Sequence, residues 1–211
     1  MSAGVTSSSV VGITFEDGVC VATDTLGSYG SLAKYRKLPR IVQLTDRALL
    51  AAGGDYADFQ YVRDLLENKI HLDTVDGDTP PAPRSLFCWL RRLLYDRRTR
   101  LRPLRMDAVV AGLEPDGEPF LGVVDLRGTA FSAPSVATAM GAYLALPGLR
   151  EAGTSLRRQQ AAKLLEDKMR VLLLRDARSC EEFQLAVVDG TGVTIEPPRK
   201  LHANWQVAHS V

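Results

Sequence analysis

The stretch from Ser8 to Asp24 constrains the fold most, because it predicts two β-strands joined by a tight turn. Alternate apolar residues of the first strand share one side: Val11, Ile13 and Phe15. Glu16-Asp17-Gly18 predicts the turn, since Gly accepts the positive φ that hairpin turns require. The return strand, 18–22, is almost entirely apolar, which predicts that both of its faces are covered. The hairpin therefore carries Asp24 back towards Ser8.

The remaining patterns alternate between blocks of strands and pairs of helices. A second strand pair follows the first hairpin, with Gly53-Gly54 expected to end it and Asp55 to cap the next helix. Later patterns predict a second helix from about residue 84, a meander of short strands, two helices over about 141–151 and 155–175, and a last hairpin. This order predicts an α+β fold in which two packed sheets have helix layers outside them.

Composition limits the classes of protein to which the chain can belong. With 211 residues and 45% hydrophobic content, one well-cored domain over 1–211 is expected. A net charge of +1 gives no general attraction to nucleic acid or to an anionic membrane. Three separated cysteines offer no zinc spacing, so free thiols, no metal and no cofactor are expected. The start has no secretory pattern and no run of about eighteen apolar residues occurs, so a soluble intracellular protein is expected.

A small hydroxyl residue at the start of the first strand, with a carboxylate nearby, is typical of an N-terminal-nucleophile hydrolase. In that chemistry the hydroxyl attacks and the free α-amine of the same residue, with a pKa of about 8, serves as the base. Other nucleophile schemes have less support, because the sequence contains no G-x-S-x-G elbow and only three histidines. The glycines near Gly27 and Gly53 are expected to serve turns, since no phosphate-binding Lys follows them.

Five segments resemble those of 20S proteasome beta subunits, and most of all those of one non-catalytic eukaryotic subunit class. They are LGSYGSLA (26–33), GDYADFQY (54–61), GAYLA (141–145), RDARS (175–179) and NWQVAH (204–209). The similarity runs in order from about Ser8 to the C-terminus. It implies the four-layer αββα sandwich of the N-terminal-nucleophile superfamily, with an N-terminal extension, 1–7, and a C-terminal arm, 197–211.

The resemblance also implies where the family's catalytic residues fall. Its nucleophilic Thr matches Ser8, its Lys falls at Arg40, and a later Ser falls at about Met140. Its two Asp residues and its remaining Ser are matched by Asp24, Asp176 and Ser179.

Three departures from that pattern predict the loss of catalysis. Ser8 lies behind seven residues and so lacks a free amine, Arg cannot act as a tunable Lys, and Met has no hydroxyl to relay a proton. We therefore expect a non-catalytic subunit whose matching Asp and Ser residues hydrogen-bond the strand ends together. The alternative is an active peptidase that uses Ser8 after removing its own extension.

The resemblance implies partners and a compartment as well. They are neighbouring beta subunits, the alpha ring, and the opposite beta ring through the C-terminal arm, in the cytoplasm and nucleus. Trp205 and His209 of that arm are the expected partner-binding residues. Composition alone leaves open whether the Trp packs on its own core or anchors in a partner.

Arginines are concentrated between residues 91 and 105: Arg91, Arg92, Arg97, Arg98, Arg100, Arg102 and Arg105. Such a cluster can bind RNA or DNA. Acidic residues elsewhere balance the total charge, however, and no aromatic residue lies between 97 and 105. A solvated or subunit-contacting helix end is therefore favoured over a nucleic-acid site.

Overall fold

A computed structural model of the protein describes residues 4–75, 77 and 79–206. The strands of the first half are β1 (Val5–Ser7), β2 (Val10–Phe15), β3 (Gly18–Asp24), β4 (Gly27–Tyr29), β5 (Leu32–Tyr35), β6 (Ile41–Thr45) and β7 (Ala48–Asp55). Those of the second half are β8 (Met106–Leu113), β9 (Pro119–Val124), β10 (Ala130–Ser132), β11 (Ser135–Ala137), β12 (Glu182–Asp189), β13 (Gly192–Ile195) and β14 (Arg199–Lys200). The helices are α1 (Tyr56–Val75), α2 (Pro83–Thr99), α3 (Gly141–Leu144), α4 (Leu146–Ala152) and α5 (Arg158–Arg175).

The strands form two antiparallel sheets. Within the described residues, eight strands make the first sheet, in the order β10-β9-β8-β7-β1-β4-β5, with β6 also paired to β7. The second sheet has six strands, in the order β11-β2-β3-β12-β13, with β14 also paired to β12. Consecutive strands are mostly neighbours, as the predicted hairpins and meander require.

Three apolar clusters hold four layers together. Helices α1 and α2 cover the outer face of the first sheet, whereas α3, α4 and α5 cover that of the second. A third cluster fills the space between the sheets and includes Val10, Val21, Leu49 and Val109. The predicted αββα sandwich is confirmed, because each sheet buries one face on helices and the other on its partner sheet.

The opening hairpin lies where the sequence predicts it, but the prediction of a positive φ at Gly18 was wrong. Strand β3 is buried along its whole length, and the apolar side chains of β2 divide between the two flanking clusters as predicted. Gly18, however, does not have a positive φ. A Cβ at this position would lie 2.2 Å from the Val188 carbonyl oxygen. Glycine is therefore required by the close approach of β12, not by the turn.

Strand β7 continues past the residues that were expected to end it. Gly53 and Gly54 pair with Asp107 and Met106 of β8, and Gly54 also pairs with Ser7 of β1. Glycines weaken an isolated strand, but here neighbours on both sides provide hydrogen-bond partners for the backbone. The strand prediction failed because β1, in the predicted extension 1–7, was not recognised as a strand.

Asp55 caps α1 as predicted, since its carboxylate accepts hydrogen bonds from the Ala57 and Asp58 amides at 2.9 and 3.4 Å. The single helix expected over 141–151 is two short helices, because Pro147 opens a new helix at its second residue. No helix in the described ranges is both long and apolar enough to cross a membrane.

Candidate functional site

One edge of the sandwich brings together four of the residues that the resemblance matches to the family's catalytic positions. Ser8 lies just before β2, Asp24 ends β3, Arg40 precedes β6 and Asp176 follows α5. All four are largely buried, with at most 9% of each residue exposed. Antiparallel pairing of β3 with β2 and β12 accounts for the convergence, because it places the start of β2 and the end of β3 at the same edge.

Arg40 is fully buried and uses all of its guanidinium donors. Its Nε donates to the Ala52 carbonyl at 3.1 Å. Its Nη1 donates to the Asp24 carboxylate and, at 3.3 Å, to the Asp24 carbonyl. Its Nη2 donates to the carbonyls of Ser8 at 2.5 Å and Ser9 at 3.2 Å. A guanidinium has five N–H donors, so this side chain links four backbone positions and has no donor left for a substrate.

Burial and nearby charge oppose each other at the Asp24–Arg40 pair. Burial raises the pKa of Asp24 from 3.8 to about 6, while the Arg40 charge counteracts that rise and the Asp176 charge adds to it. Burial also lowers the pKa of Arg40, and Asp24 opposes the change. Each group is therefore kept charged by the other, since neither has water to solvate it.

Ser8 has a hydroxyl near a carboxylate, but it lies within a strand-bonded segment of the chain. Its Oγ donates a hydrogen bond to the Asp176 carboxylate. The preceding residues form β1, in which Thr6 pairs with Ser28 on one side and Asp55 on the other. The Ser7 hydroxyl also donates to the Gly54 carbonyl at 3.2 Å. The Ser8 nitrogen is consequently a peptide nitrogen at the end of a paired strand, and it cannot act as a base.

Asp24 and Asp176 join the strand ends as predicted, but Ser179 does not. The Asp176 carboxylate accepts from the Ser8 hydroxyl and from the Arg178 amide, the latter at 2.9 Å. The Ser179 amide donates to the Asp176 carbonyl at 3.1 Å, whereas the buried Ser179 Oγ has no hydrogen-bond partner in the described part of the chain. The hydroxyl thus does not contribute to the expected network.

Sequence reasoning missed two hydroxyl residues that complete this edge. Ser9 Oγ accepts from the Gly141 amide at 2.9 Å, and Thr138 Oγ1 accepts from the Val10 amide at 2.9 Å. Met140, the approximate position at which the resemblance places a Ser of the family, is 42% exposed. The run Ser7-Ser8-Ser9 was the available signal, because small hydroxyl residues at a strand end often satisfy free amides.

Contacts fix the first part of the C-terminal arm to the body. Strand β14 pairs with β12, Leu201 is 4% exposed, and Arg170 Nε donates to the His202 carbonyl at 2.9 Å. Beyond this anchor Trp205 is 54% exposed and borders a cavity of about 530 Å³. The Trp does not pack into the core, and His209 lies outside the described residues.

No group of three or more potential ligands is arranged for a metal ion within the described ranges. The cysteines there are free thiols, with Cys20 buried, Cys180 partly buried and Cys88 exposed. Burial raises the pKa of Cys20 to about 12, so this thiol is protonated and poorly nucleophilic.

Comparison with known proteins gives one consistent result. A family model described as "Proteasome subunit" matches residues 5–188. The chain is 41% identical to proteasome subunit beta type-4 of Xenopus laevis over 211 residues, which cover 98% of this chain and 87% of the relative. It is 36% identical to the Drosophila melanogaster beta type-4 subunit, covering 100% of this chain and 80% of that one. The chain is 33% identical to proteasome subunit beta type-7 of Saccharomyces cerevisiae, and the match covers 98% of this chain and 83% of that one. The resemblance to proteasome beta subunits, and to this class of them, is confirmed.

Proposed function

This chain belongs to the proteasome subunit family, and on that premise we propose that it is a non-catalytic beta subunit of the 20S core particle. Its role there is structural. It holds one place in a ring of beta subunits whose catalytic members cleave peptides, and it thereby contributes to ATP- and ubiquitin-dependent protein degradation. The observation that carries this proposal is the state of Arg40, which lies where the resemblance places the family's Lys and whose guanidinium donors are all bonded to backbone carbonyls and to Asp24.

Two requirements of N-terminal-nucleophile chemistry are not met at the Ser8 hydroxyl, because the amine is not free and the nearby cation is bonded to other groups. The reaction needs a free α-amine as base and a cationic group to lower the pKa of the hydroxyl. Here the Ser8 nitrogen is a peptide nitrogen, because β1 continues the chain before it. The cation is Arg40, whose donors are all bonded, to backbone carbonyls and to Asp24. A guanidinium does not deprotonate at physiological pH, so it cannot exchange protons as a Lys can.

The alternative is an active peptidase that uses Ser8 after self-processing. Its support is that Ser8, Asp24 and Asp176 do lie at one edge of the sandwich. Cleavage after Ser7 would create the missing amine, but it would leave Arg40 bonded to the Ser8 carbonyl. Release of residues 4–7 would also break the pairing of β1 with β4 and β7. The network thus favours retention of the extension and the structural role.

We further infer the partners that such a role requires. They are adjacent beta subunits, the alpha ring, and the opposite beta ring, which the C-terminal arm would reach with Trp205. The exposure of that indole beyond a firmly attached β14 supports an anchoring role, because an aromatic ring gains most when a partner buries it. Cytoplasm and nucleus are the proposed compartments.

Intact-mass measurement of the endogenous protein, combined with native electrophoresis, tests this function. We expect the chain to migrate in a particle many times its own mass of 23.0 kDa, with its mass including residues before Ser8. A threonine-directed electrophile should label other subunits of the particle and leave this one unlabelled.

The two functions predict different N-terminal residues and different labelling of the chain. A mass that begins at Ser8, together with labelling of Ser8 by the electrophile, would establish the active peptidase instead. Migration as a free chain under conditions that preserve other particles would refute the structural role. The Ser8→Ala variant serves as the matched control, since any label at this position must disappear with the hydroxyl.

A further inference from the structure

A groove between α2 and the turn after β9 has a strongly cationic lining. Its cavity measures about 470 Å³. Among the described residues, no acidic side chain lines the groove and four arginines do: Arg91, Arg92, Arg98 and Arg127. The remaining lining residues are Cys88, Tyr95, Gly128 and Thr129. We propose that this groove, called the arginine groove below, binds an acidic segment of a partner polypeptide.

The arginines of the groove form no ion pairs within the described ranges, unlike Arg100 at the end of the same helix. Arg100 pairs with Asp96 at 3.1 Å, and Arg97 donates to the Tyr61 hydroxyl. None of the four lining arginines forms an ion pair with a residue of the described ranges. No ion pair neutralises these charges within the described ranges, and only Arg127 has an electrostatic interaction with an acidic residue, Asp107. The lining adds a local positive field to a chain whose net charge is only +1.

The rigid turn between β9 and β10 holds one side of the groove in place. The Asp125 carboxylate accepts from the Arg127 and Thr129 amides, both at 2.8 Å. Gly128 has a φ of +79°, and a Cβ there would lie 2.7 Å from the Cβ of Tyr95. The turn thus packs closely on α2, which places Arg127 opposite the helix arginines with little freedom of its backbone.

Spacing along α2 suits an extended acidic chain better than a small anion. Cys88, Arg91, Arg92, Tyr95 and Arg98 recur at three- and four-residue intervals and so share one helix face. From Arg91 to Arg98 this face spans about 10 Å, the length of about three residues of extended polypeptide. All four lining arginines are exposed instead of converging on a buried point. Their planar forks match successive carboxylates.

The same lining disfavours RNA. Single-stranded nucleic acid is held by several aromatic rings on which bases stack. The lining has one aromatic residue, Tyr95, and the Arg98 guanidinium already lies 6.0 Å from the centre of its ring. Tyr95 is 54% exposed, so it offers a partner peptide an apolar floor beside the cationic rim.

Binding of a defined peptide to the full chain tests the groove. The probe is a fluorescein-labelled decapeptide of alternating Glu and Ala, compared with the same peptide carrying Gln for Glu and with a single-stranded RNA of equal length. We expect the Glu peptide to bind best and to weaken as salt is raised. Arg91→Glu combined with Arg92→Glu should reduce its affinity about tenfold or more, because attraction becomes repulsion. Arg91→Lys with Arg92→Lys should give an intermediate loss.

A matched double variant distinguishes binding in the arginine groove from a general effect of the chain's net charge on peptide binding. Arg150→Glu with Lys163→Glu makes the same charge change on exposed positions of α4 and α5, on the opposite helix layer. This control should bind the Glu peptide within about twofold of the wild type. Equal losses in the two double variants, or equal binding of the Glu and Gln peptides, would overturn the proposal. Tighter binding of RNA that is lost in the groove variant would assign the groove to nucleic acid instead.

Cys88 offers a second measurement at the groove itself. Its thiol is exposed whereas Cys20 is buried, so a photoreactive maleimide can be attached at Cys88. Irradiation should cross-link the Glu peptide in the wild type and the control, and much less in the groove variant. Peptide bound without any cross-link to Cys88 would contradict the location. Because the free chain is used, the result does not depend on whether the chain enters a proteasome particle.

Discussion

The Arg40 guanidinium contacts the Asp24 carboxylate inside the sandwich, with side-chain exposures of 0% and 2%. The same guanidinium holds the carbonyls of Ser8 and Ser9. A charged pair at this place therefore fixes the start of β2 against the end of β3. The resemblance matches Arg40 to a catalytic Lys of the family, and under the proposed non-catalytic role Arg40 is a structural residue instead.

Loss of Arg40 should destabilise the protein strongly. Arg40→Met removes five hydrogen bonds and leaves the Asp24 carboxylate buried without its cation. Breaking a buried ion pair in this way costs about 3–5 kcal/mol in the free energy of unfolding. Urea denaturation at neutral pH measures the loss, and Arg150→Met, on an exposed position of α4, is the control. A loss no larger than in the control would contradict the structural role of Arg40.

The same variant should acquire a new pH dependence above pH 6. Burial already raises the pKa of Asp24 to about 6 against the opposition of Arg40, so removal of that charge raises it further. A carboxyl with a raised folded pKa favours the folded state below its unfolded pKa, and this contribution is lost as pH rises through the folded value. The stability of Arg40→Met should therefore continue to fall as the pH rises above about 6, where Asp24 no longer changes the stability of the wild type.

A second substitution isolates the carboxylate as the cause of that fall. Arg40→Met combined with Asp24→Asn has no group to titrate at this position, so its stability should be flat over the same range. It should also exceed that of Arg40→Met alone at neutral pH, since no buried charge remains. A slope that persists in the double variant would assign the pH dependence to another residue.

The sequence predicted the sandwich well because its evidence is local and repetitive. Alternation in β2, the wholly apolar β3 and the apolar face of α1 each follow from a few neighbouring residues. The wrong points depend on distant chain segments. Gly18 is required by the approach of Val188, and β7 continues through Gly54 because β1 pairs with it. Neither contact leaves a pattern in nearby residues.

For the candidate site too, the identities of residues could be predicted from the sequence, whereas their contacts with distant chain segments could not. The resemblance pointed to Asp24, Arg40 and Asp176, and the structure brings these three residues together at one edge of the sandwich. The physical properties of Arg led to the prediction that it could not replace Lys. What Arg40 does instead could not be predicted, because its acceptors include carbonyls of Ala52 and Ser8, and a carbonyl is present at every position of every sequence. Sequence reasoning also could not predict that the Ser179 hydroxyl has no hydrogen-bond partner among the described residues.

Gly53 should be intolerant of a side chain although its φ is not positive. A Cβ there would lie 2.5 Å from the Ser8 carbonyl oxygen, the acceptor that Arg40 uses. Gly53→Ala must displace Ser8 or Arg40, at a cost of about 1–3 kcal/mol in the free energy of unfolding. Gly190→Ala is the control, because nothing lies within 4 Å of its Cβ. Equal denaturation midpoints for the two variants would show that Ser8 can move freely.

Trp205 should matter for assembly and very little for the chain by itself. The indole is 54% exposed, and Leu201 is the last buried apolar residue before it. Trp205→Ala, or deletion of residues 204–211, should therefore leave the unfolding midpoint of the isolated chain nearly unchanged. If the arm anchors in the opposite beta ring, either change should slow the joining of two half-particles, because truncating a buried aromatic anchor costs about 2 kcal/mol or more of binding free energy.

Native electrophoresis of particles that carry each variant measures the ratio of half to full particles. Val75→Ala, which shortens an apolar side chain that is 68% exposed at the end of α1, is the control. Normal yields of full particles with the deletion would refute anchoring, and a lowered midpoint of the isolated chain would place the Trp on its own core.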